Sequence, residues 1–318
     1  MRTVATGGGA PRIVVTGGSG FIGTHLVRAL QAGGADVLVA DLVRPADSDV
    51  ASVQVDLRAP GAVETVIKPG VDTIVHLAAA TSVLRSVDRP AETFTANVTV
   101  TAALVEQARR CGVGTFVFAS TNAVVGPARH FPIHERTPLA PLTPYGATKA
   151  AAEMLLSTYN AIYGVRCCWP RLTNVYGPGM DHKDSVIPRL LKAARAGTGF
   201  NVYGDGSQLR DYVYVADVVA AMCAAIDDTR WDGPVVIGSG QSTSVLDVAA
   251  MVREVTGIDL PLRHVAAKAG EMPKVEVDVS HAAALGWRPT TSLLQGLPQV
   301  WASWSGRRQP MSAAASAS

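Results

Sequence analysis

Short runs of β-branched and aliphatic residues recur along the first half of the chain. Each is followed by a longer stretch in which apolar positions return every three or four residues. The runs predict strands at 13–16, 37–41, 53–56, 73–77, 115–120 and 165–170. The periodic stretches predict helices, among them 24–32, 98–110 and 144–163. Continuous apolar runs, rather than alternating ones, are what strands show when both faces of a sheet are covered. The pattern therefore predicts an α/β fold with a parallel sheet between two helical layers, and ligands outside the carboxyl ends of its strands.

After Pro170 the pattern changes. Residues 171–208 carry Gly, Pro and basic residues around one helix at 185–196, and a similar mixed stretch covers 258–298. These two stretches predict a smaller, discontinuous α/β substrate lobe. The main domain then spans 12–170, with returning segments at about 209–257. Residues 1–11 and 305–318, rich in Gly or in Ser and Ala, read as flexible tails.

Composition narrows the function without naming it. At 318 residues with 48% hydrophobic and 17% charged positions, the chain can bury a large core. A formal net charge of +2 with both signs interspersed makes no case for nucleic acid or a membrane surface. Cys111, Cys167, Cys168 and Cys223 form no C-x-x-C pair and no metal spacing, and read as thiols in a reducing compartment. No apolar run approaches the ~18 residues of a membrane span, and the start lacks a signal-peptide core, so a cytoplasmic location is expected.

The candidate chemistry begins at Gly17, Gly20 and Gly23, a G-x-x-G-x-x-G turn between the first strand and first helix. Glycine there permits a tight turn, close approach to a pyrophosphate and close helix packing. Asp41 ends the second strand, where a carboxylate accepts from adenosine ribose hydroxyls and repels a 2′-phosphate. That favours NAD over NADP, although Arg44 lies close by. Asp56 and Leu57 are placed to face the adenine, but an Asp at a strand end is also an ordinary turn residue.

Tyr145 and Lys149 are four apart in a predicted helix and so share a face. A tyrosine with pKa near ~10 is a poor base at neutral pH, but a neighbouring ammonium and a nicotinamide cation stabilise its phenolate. Lysine can also hold the nicotinamide ribose. Thr121, just past the fifth predicted strand, can relay a proton to Tyr145. The ordinary alternatives are a surface helix pair and a strand-end threonine.

Further pieces follow in order. They are His76-Leu77-Ala78-Ala79, Asn97, Arg171-Leu172-Thr173-Asn174-Val175-Tyr176-Gly177-Pro178, Tyr203-Gly204-Asp205-Gly206, Arg210-Asp211-Tyr212-Val213 and Leu285-Gly286-Trp287-Arg288-Pro289. With the glycine turn and the Tyr–Lys pair, the chain resembles the extended short-chain dehydrogenase/reductase family over residues 12–298. The likeness is greatest to its NAD-dependent nucleotide-diphosphate-sugar epimerase and dehydratase branch, UDP-glucose 4-epimerase-like. The resemblance implies a Rossmann-type NAD domain. It implies cofactor contacts from Phe21, Ile22, Leu77, Ala78, Ala79, Asn97 and Ser120, besides Gly17, Gly20, Gly23, Asp41, Asp56, Leu57, Tyr145 and Lys149. It implies substrate contacts from Thr81, Thr121, Asn174, Val186, Arg210 and Lys268. Lys268 stands where the family often has arginine, which keeps the charge but loses the bidentate fork. Arg210 is alternatively a salt-bridge partner of Asp211 or Asp217. A homodimer through helices 98–110 and 144–163 is also implied.

Within that family the dehydratases carry an Asp–Glu pair directly after the threonine. Here Asn122 and Ala123 follow Thr121, so the acid and base for elimination are missing. The expected reaction is a 4-epimerisation of a UDP- or dTDP-linked sugar through a transient 4-keto sugar. A 4-ketoreductase consuming reduced cofactor uses the same three residues, and a non-catalytic NAD-binding scaffold would not need them together.

Overall fold

The computed structural model describes residues 10–267 and 272–305. Its strands are β1 Arg12–Thr16, β2 Asp36–Asp41, β3 Ser52–Gln54, β4 Thr73–His76, β5 Thr115–Phe118, β6 Ser120–Thr121, β7 Arg166–Leu172, β8 Asn174–Tyr176, β9 Phe200–Tyr203, β10 Leu209–Tyr214, β11 Gly233–Ile237, β12 Ser242–Ser244 and β13 Leu262–Val265. Eight of them form one sheet in the order β11-β7-β5-β4-β1-β2-β3, with β6 also beside β7. Every pairing in this sheet is parallel. The predicted doubly wound parallel sheet is therefore present.

Both faces are covered, which is why Ile13, Val14 and Val15 are all buried. Helices Phe21–Ala32 and Val215–Asp227 supply Leu26, Val27, Leu30, Val218 and Met222 to one layer. Helices Val100–Cys111 and Pro144–Tyr163 supply Leu104, Val105, Ala152 and Leu156 to the other. The chain winds outward from β1 in one direction through β2 and β3, and from β4 in the other. The strand order thus reverses between β1 and β4, and a crevice opens at their carboxyl ends.

A second apolar core unites helices Val186–Ala196, Val245–Thr256 and Leu293–Ser305 with β9 and β10. The returning segment at 209–257 feeds both cores. Val215–Asp227 and β11 join the first, while Val245, Val248, Ala249 and Val252 present one helical stripe to the second.

Several boundaries differ from the sequence reading for local reasons. The strand expected at 115–120 breaks at Ala119, and β6 re-engages β7 after it. The strand expected at 53–56 stops at Gln54, because Asp56 turns the chain with Arg58. The helix expected from 98 is preceded by Pro90–Phe94 and a π-helical turn, Thr95–Thr99, which contains Asn97. The tails expected at 1–11 and 305–318 lie outside the described residues except for their inner ends, 10–11 and 305.

Candidate active site

The glycine turn divides into positions the fold requires and one it does not. Gly17 has φ +71°, and a Cβ there would lie 2.6 Å from the Ala78 backbone nitrogen. A Cβ on Gly23 would run into the Gly17 carbonyl. At Gly20 a Cβ would meet only the Gly17 oxygen, at 3.2 Å. Gly20 is the N-cap of helix Phe21–Ala32, with no side-chain cap and no acidic residue in the first turn. The positive end of the helix is thus left to an external anion, as a pyrophosphate cradle requires. Phe21 is buried and Ile22 half-buried in the seam between the two cores.

Asp41 ends β2 beside this turn. Its Oδ2 accepts the Ser19 amide at 3.0 Å and Oδ1 the Val43 amide at 3.3 Å, so the carboxylate is fixed against the cradle. Asp56 is engaged differently: Arg58 holds it through Nε at 2.9 Å and Nη2 at 2.7 Å. Those hydrogen bonds keep its pKa below the usual carboxylate range. Leu57 packs against the helical layer beside it.

The floor next to Gly17 is set by a buried polar chain. Thr101 Oγ1 donates to the Asn97 carbonyl at 2.6 Å, so it must accept from His76 Nε2 at 3.0 Å. His76 Nδ1 is then unprotonated and accepts from Thr16 Oγ1 at 2.7 Å, and Thr16 accepts the Ala78 amide at 3.4 Å. His76 is neutral, its pKa pushed down to about 3 by burial and then by the charge of Lys149. Asn97 clasps the same loop, accepting from Ala80 N and donating to Ala80 O and to Thr148 Oγ1. The Asn97 amide therefore ties the Leu77, Ala78, Ala79 segment to the helix of Tyr145. Thr81, further along, is exposed.

That helix, Pro144–Tyr163, starts with Pro144 at its first position and Thr143 Oγ1 accepting from Gly146 N at 3.2 Å. Tyr145 is fixed by its amide, which donates to Ser86 Oγ at 3.1 Å. Its phenol has Thr121 as a neighbour. Burial pushes this phenol up to about 12, with Thr121 opposing. Lys149 is 2% exposed, donates to the Ala119 carbonyl at 2.8 Å and lies 4.3 Å from the Phe118 ring centre. The break after β5 is what frees that carbonyl. Burial pulls Lys149 down to about 7, with Glu153 opposing.

Glu153 was not foreseen. It lies one turn beyond Lys149, grips Arg171 with Nη2–Oε2 at 2.7 Å, and accepts from Ser120 Oγ. The Ser120 hydroxyl, expected to face the cofactor, is engaged there instead. The available signal was a carboxylate at i+4 from Lys149 in a helix face otherwise lined with alanine. Ala150 and Ala152 of this helix are buried within the subunit.

On the substrate side, Asn174 is exposed and its Nδ2 donates to the Asp211 carbonyl at 2.9 Å. Arg210 is half-buried with Nη1 donating to the Leu209 carbonyl at 2.8 Å. The carboxylates weighed as its partners have other donors: Thr173 and Ser239 for Asp211, Thr290 and Thr291 for Asp217. Val186 opens helix Val186–Ala196 and is half-buried at the second core. Lys268 lies outside the described residues.

The arrangement is thus a helix terminus without an internal cap, a carboxylate fixed beside the glycine turn, and Tyr145 with Thr121 and Lys149 near the carboxyl ends of the sheet's strands. Residues 13–238 match the model of the NAD dependent epimerase/dehydratase family. The chain belongs to this family. A putative UDP-glucose 4-epimerase of Methanocaldococcus jannaschii is 32% identical over 91% of this chain and 96% of its own length. The UDP-glucose 4-epimerase of Thermotoga maritima, solved with UDP-glucose, superposes with TM-score 0.87 at 31% identity, covering 93% of this chain and 99% of that one. The UDP-glucose 4-epimerase of Thermus thermophilus, solved with NAD, gives TM-score 0.87 at 32% identity, with the same coverage.

Proposed function

We propose that the protein is an NAD-dependent nucleotide-diphosphate-sugar 4-epimerase that works through a transient 4-keto sugar. The observation that carries this reading is the Thr121–Tyr145–Lys149 group beside a turn, Asn122–Val124, that holds no carboxylate. Glu153, the nearest acid on the catalytic helix, is locked to Arg171 and Ser120 and is not available for elimination. The full-length likeness to UDP-glucose 4-epimerases supports the same conclusion.

Bound NAD supplies the acceptor and donor of hydride at C4. Tyr145 takes the proton of the C4 hydroxyl, with Thr121 orienting both oxygens. In the cofactor-free protein burial keeps its phenol protonated, pushed up to about 12. Base activation is therefore tied to the positive charge brought by Lys149 and the oxidised nicotinamide. Lys149 is held by the Ala119 carbonyl, so its ammonium enters the site at a fixed point. Arg210, Asn174, Val186, Thr81 and Lys268 are proposed to hold the nucleotide-sugar while the keto sugar turns over. The lobe at 171–208 and 258–298 supplies most of these contacts to the domain at 12–170.

We also read the protein as a homodimer and as cytoplasmic. Met154, Ile162 and Tyr163 on the catalytic helix, and Val87 and Phe94 on the short helices Val83–Asp88 and Pro90–Phe94, are exposed large hydrophobics. Such a patch is expected to be covered by a second copy. The four cysteines are free thiols, and among the described residues no helix is long and apolar enough to cross a membrane.

The test is incubation with catalytic NAD and a panel of UDP- and dTDP-sugars, following C4 stereochemistry by NMR. Interconversion of C4 epimers without net cofactor reduction is expected, and Tyr145→Phe should lower the rate at least ~100-fold. Stoichiometric consumption of reduced cofactor on a 4-keto sugar would assign a reductase instead.

A further inference from the structure

Directly after Thr121 stands an amide that nothing among the described residues satisfies. Asn122 is 5% exposed, and neither its Oδ1 nor its Nδ2 has a hydrogen-bond partner. Other buried or partly buried amide and hydroxyl side chains around it are engaged: Asn97 with Ala80 and Thr148, Ser120 with Glu153, Thr148 with the Tyr145 carbonyl. A buried amide without partners is strongly unfavourable, and alanine or leucine would serve packing better.

The turn that carries Asn122 is pinned on both sides. Thr121 Oγ1 accepts from the Ala123 amide at 3.2 Å. A Cβ at Gly146 would lie 2.5 Å from the Ala123 oxygen, so this carbonyl presses on the first turn of the catalytic helix. Val124 and Val125 enter the apolar cluster of Ile133, Ala150 and Val236. Asn122 cannot swing out to water without dismantling the turn that places Thr121.

We propose that Asn122 is a specificity-determining residue, whose amide pairs with a sugar hydroxyl flanking the reacting C4 once substrate is bound. This rests on the epimerase reading, because a C4 hydroxyl held by Tyr145 and Thr121 brings its neighbours, at C3 or C6, beside residue 122. An amide suits a sugar presented in two orientations, since it accepts at Oδ1 and donates from Nδ2. A site built around a hydroxyl rejects the analogue lacking it far more strongly than an apolar site does.

The experiment compares wild type with Asn122→Ala and Asn122→Leu on a UDP-hexose and its 3-deoxy and 6-deoxy analogues, with thermal unfolding measured in parallel without sugar nucleotide. Wild type should disfavour one deoxy analogue by about 100-fold or more in kcat/KM, and the variants should reduce that ratio to below about 10-fold. The ratio for the other analogue should stay unchanged, and neither variant should melt below wild type. Unchanged discrimination at both positions overturns the inference alone. So does a fall in melting temperature with parallel losses on all sugars, which would make the amide structural. A wild-type protein that epimerises none of the sugars overturns the epimerase reading and this inference with it.

Discussion

Replacing Glu153 by Gln tests whether Lys149, the proposed catalytic lysine, depends on an ion pair one turn along its helix. Glu153 and Arg171 are 3% and 4% exposed, and the carboxylate receives Arg171 Nε and Nη2 together with Ser120 Oγ. Glutamine keeps the shape but removes the charge and turns an NH2 toward the guanidinium. Breaking one side of a buried pair costs about 3–5 kcal/mol, a large part of a typical ~5–15 kcal/mol total. The charge also reaches Lys149. Across the ~6 Å between i and i+4 positions, an effective dielectric of ~20 gives about 3 kcal/mol, of which the partly neutralising Arg171 should leave roughly half. That corresponds to about one pH unit. Glu153 opposes the fall of Lys149 to about 7, so Glu153→Gln lowers it further. The ammonium is then lost at lower pH, and the alkaline limb of kcat/KM should move down by about one unit. Urea unfolding of Glu153→Gln, Arg171→Met and Glu153→Leu/Arg171→Met should give a double variant less destabilised than either single one. Single costs below about 1 kcal/mol, or an unmoved alkaline limb, would refute the reasoning.

Two other outcomes follow from the same site. Burial moves Lys149 from 10.5 to about 7, a penalty of up to ~5 kcal/mol that is complete below pH 7, shrinks as pH rises toward 10.5 and vanishes above it. Lys149→Met leaves the Ala119 carbonyl without this donor, at about 1–3 kcal/mol, so the cofactor-free variant should be more stable by about 2–4 kcal/mol at pH 6 and less stable by about 1–3 kcal/mol at pH 10.5, while inactive. Denaturant midpoints at the two pH values check this, and a variant that is less stable at pH 6 sinks it. Gly20→Ala meets only the Gly17 oxygen, at 3.2 Å, and should fold with nearly unchanged stability yet bind NAD ~100-fold more weakly by titration. Gly17→Ala, at φ +71° and 2.6 Å from Ala78 N, should instead lose ~2 kcal/mol or more, and equal behaviour of the two would contradict the cradle.

What could be read in the sequence follows from how local each constraint is. β1, β4 and β7 are covered on both faces, so their runs declare themselves, and Tyr145 with Lys149 is a helix-period pair. Gly17, Gly20 and Gly23 are set by a turn only a few residues long. The break at Ala119 is different, because 115–120 is a continuous strand-like run and the freed carbonyl matters only to Lys149, thirty residues away. Helix Leu293–Ser305 was obscured by Pro298, although Leu297, Val300 and Trp304 form its buried stripe. Glu153 and Arg171 meet across 18 residues, and Asn97 and Thr148 across 51, so their roles exist only after β7 and the π-helical turn are in place. Ser120 shows the cost of reading position alone: its place at the sheet's carboxyl edge suggested the cofactor, while β6 turns its hydroxyl under the catalytic helix to Glu153. Thr121, its neighbour in the same two-residue strand, consequently faces the phenol of Tyr145. The alternation of one short strand therefore separates the hydroxyl that meets Glu153 from the one beside Tyr145, and it leaves the next residue, Asn122, buried at the start of the turn with an amide that has no hydrogen-bond partner among the described residues.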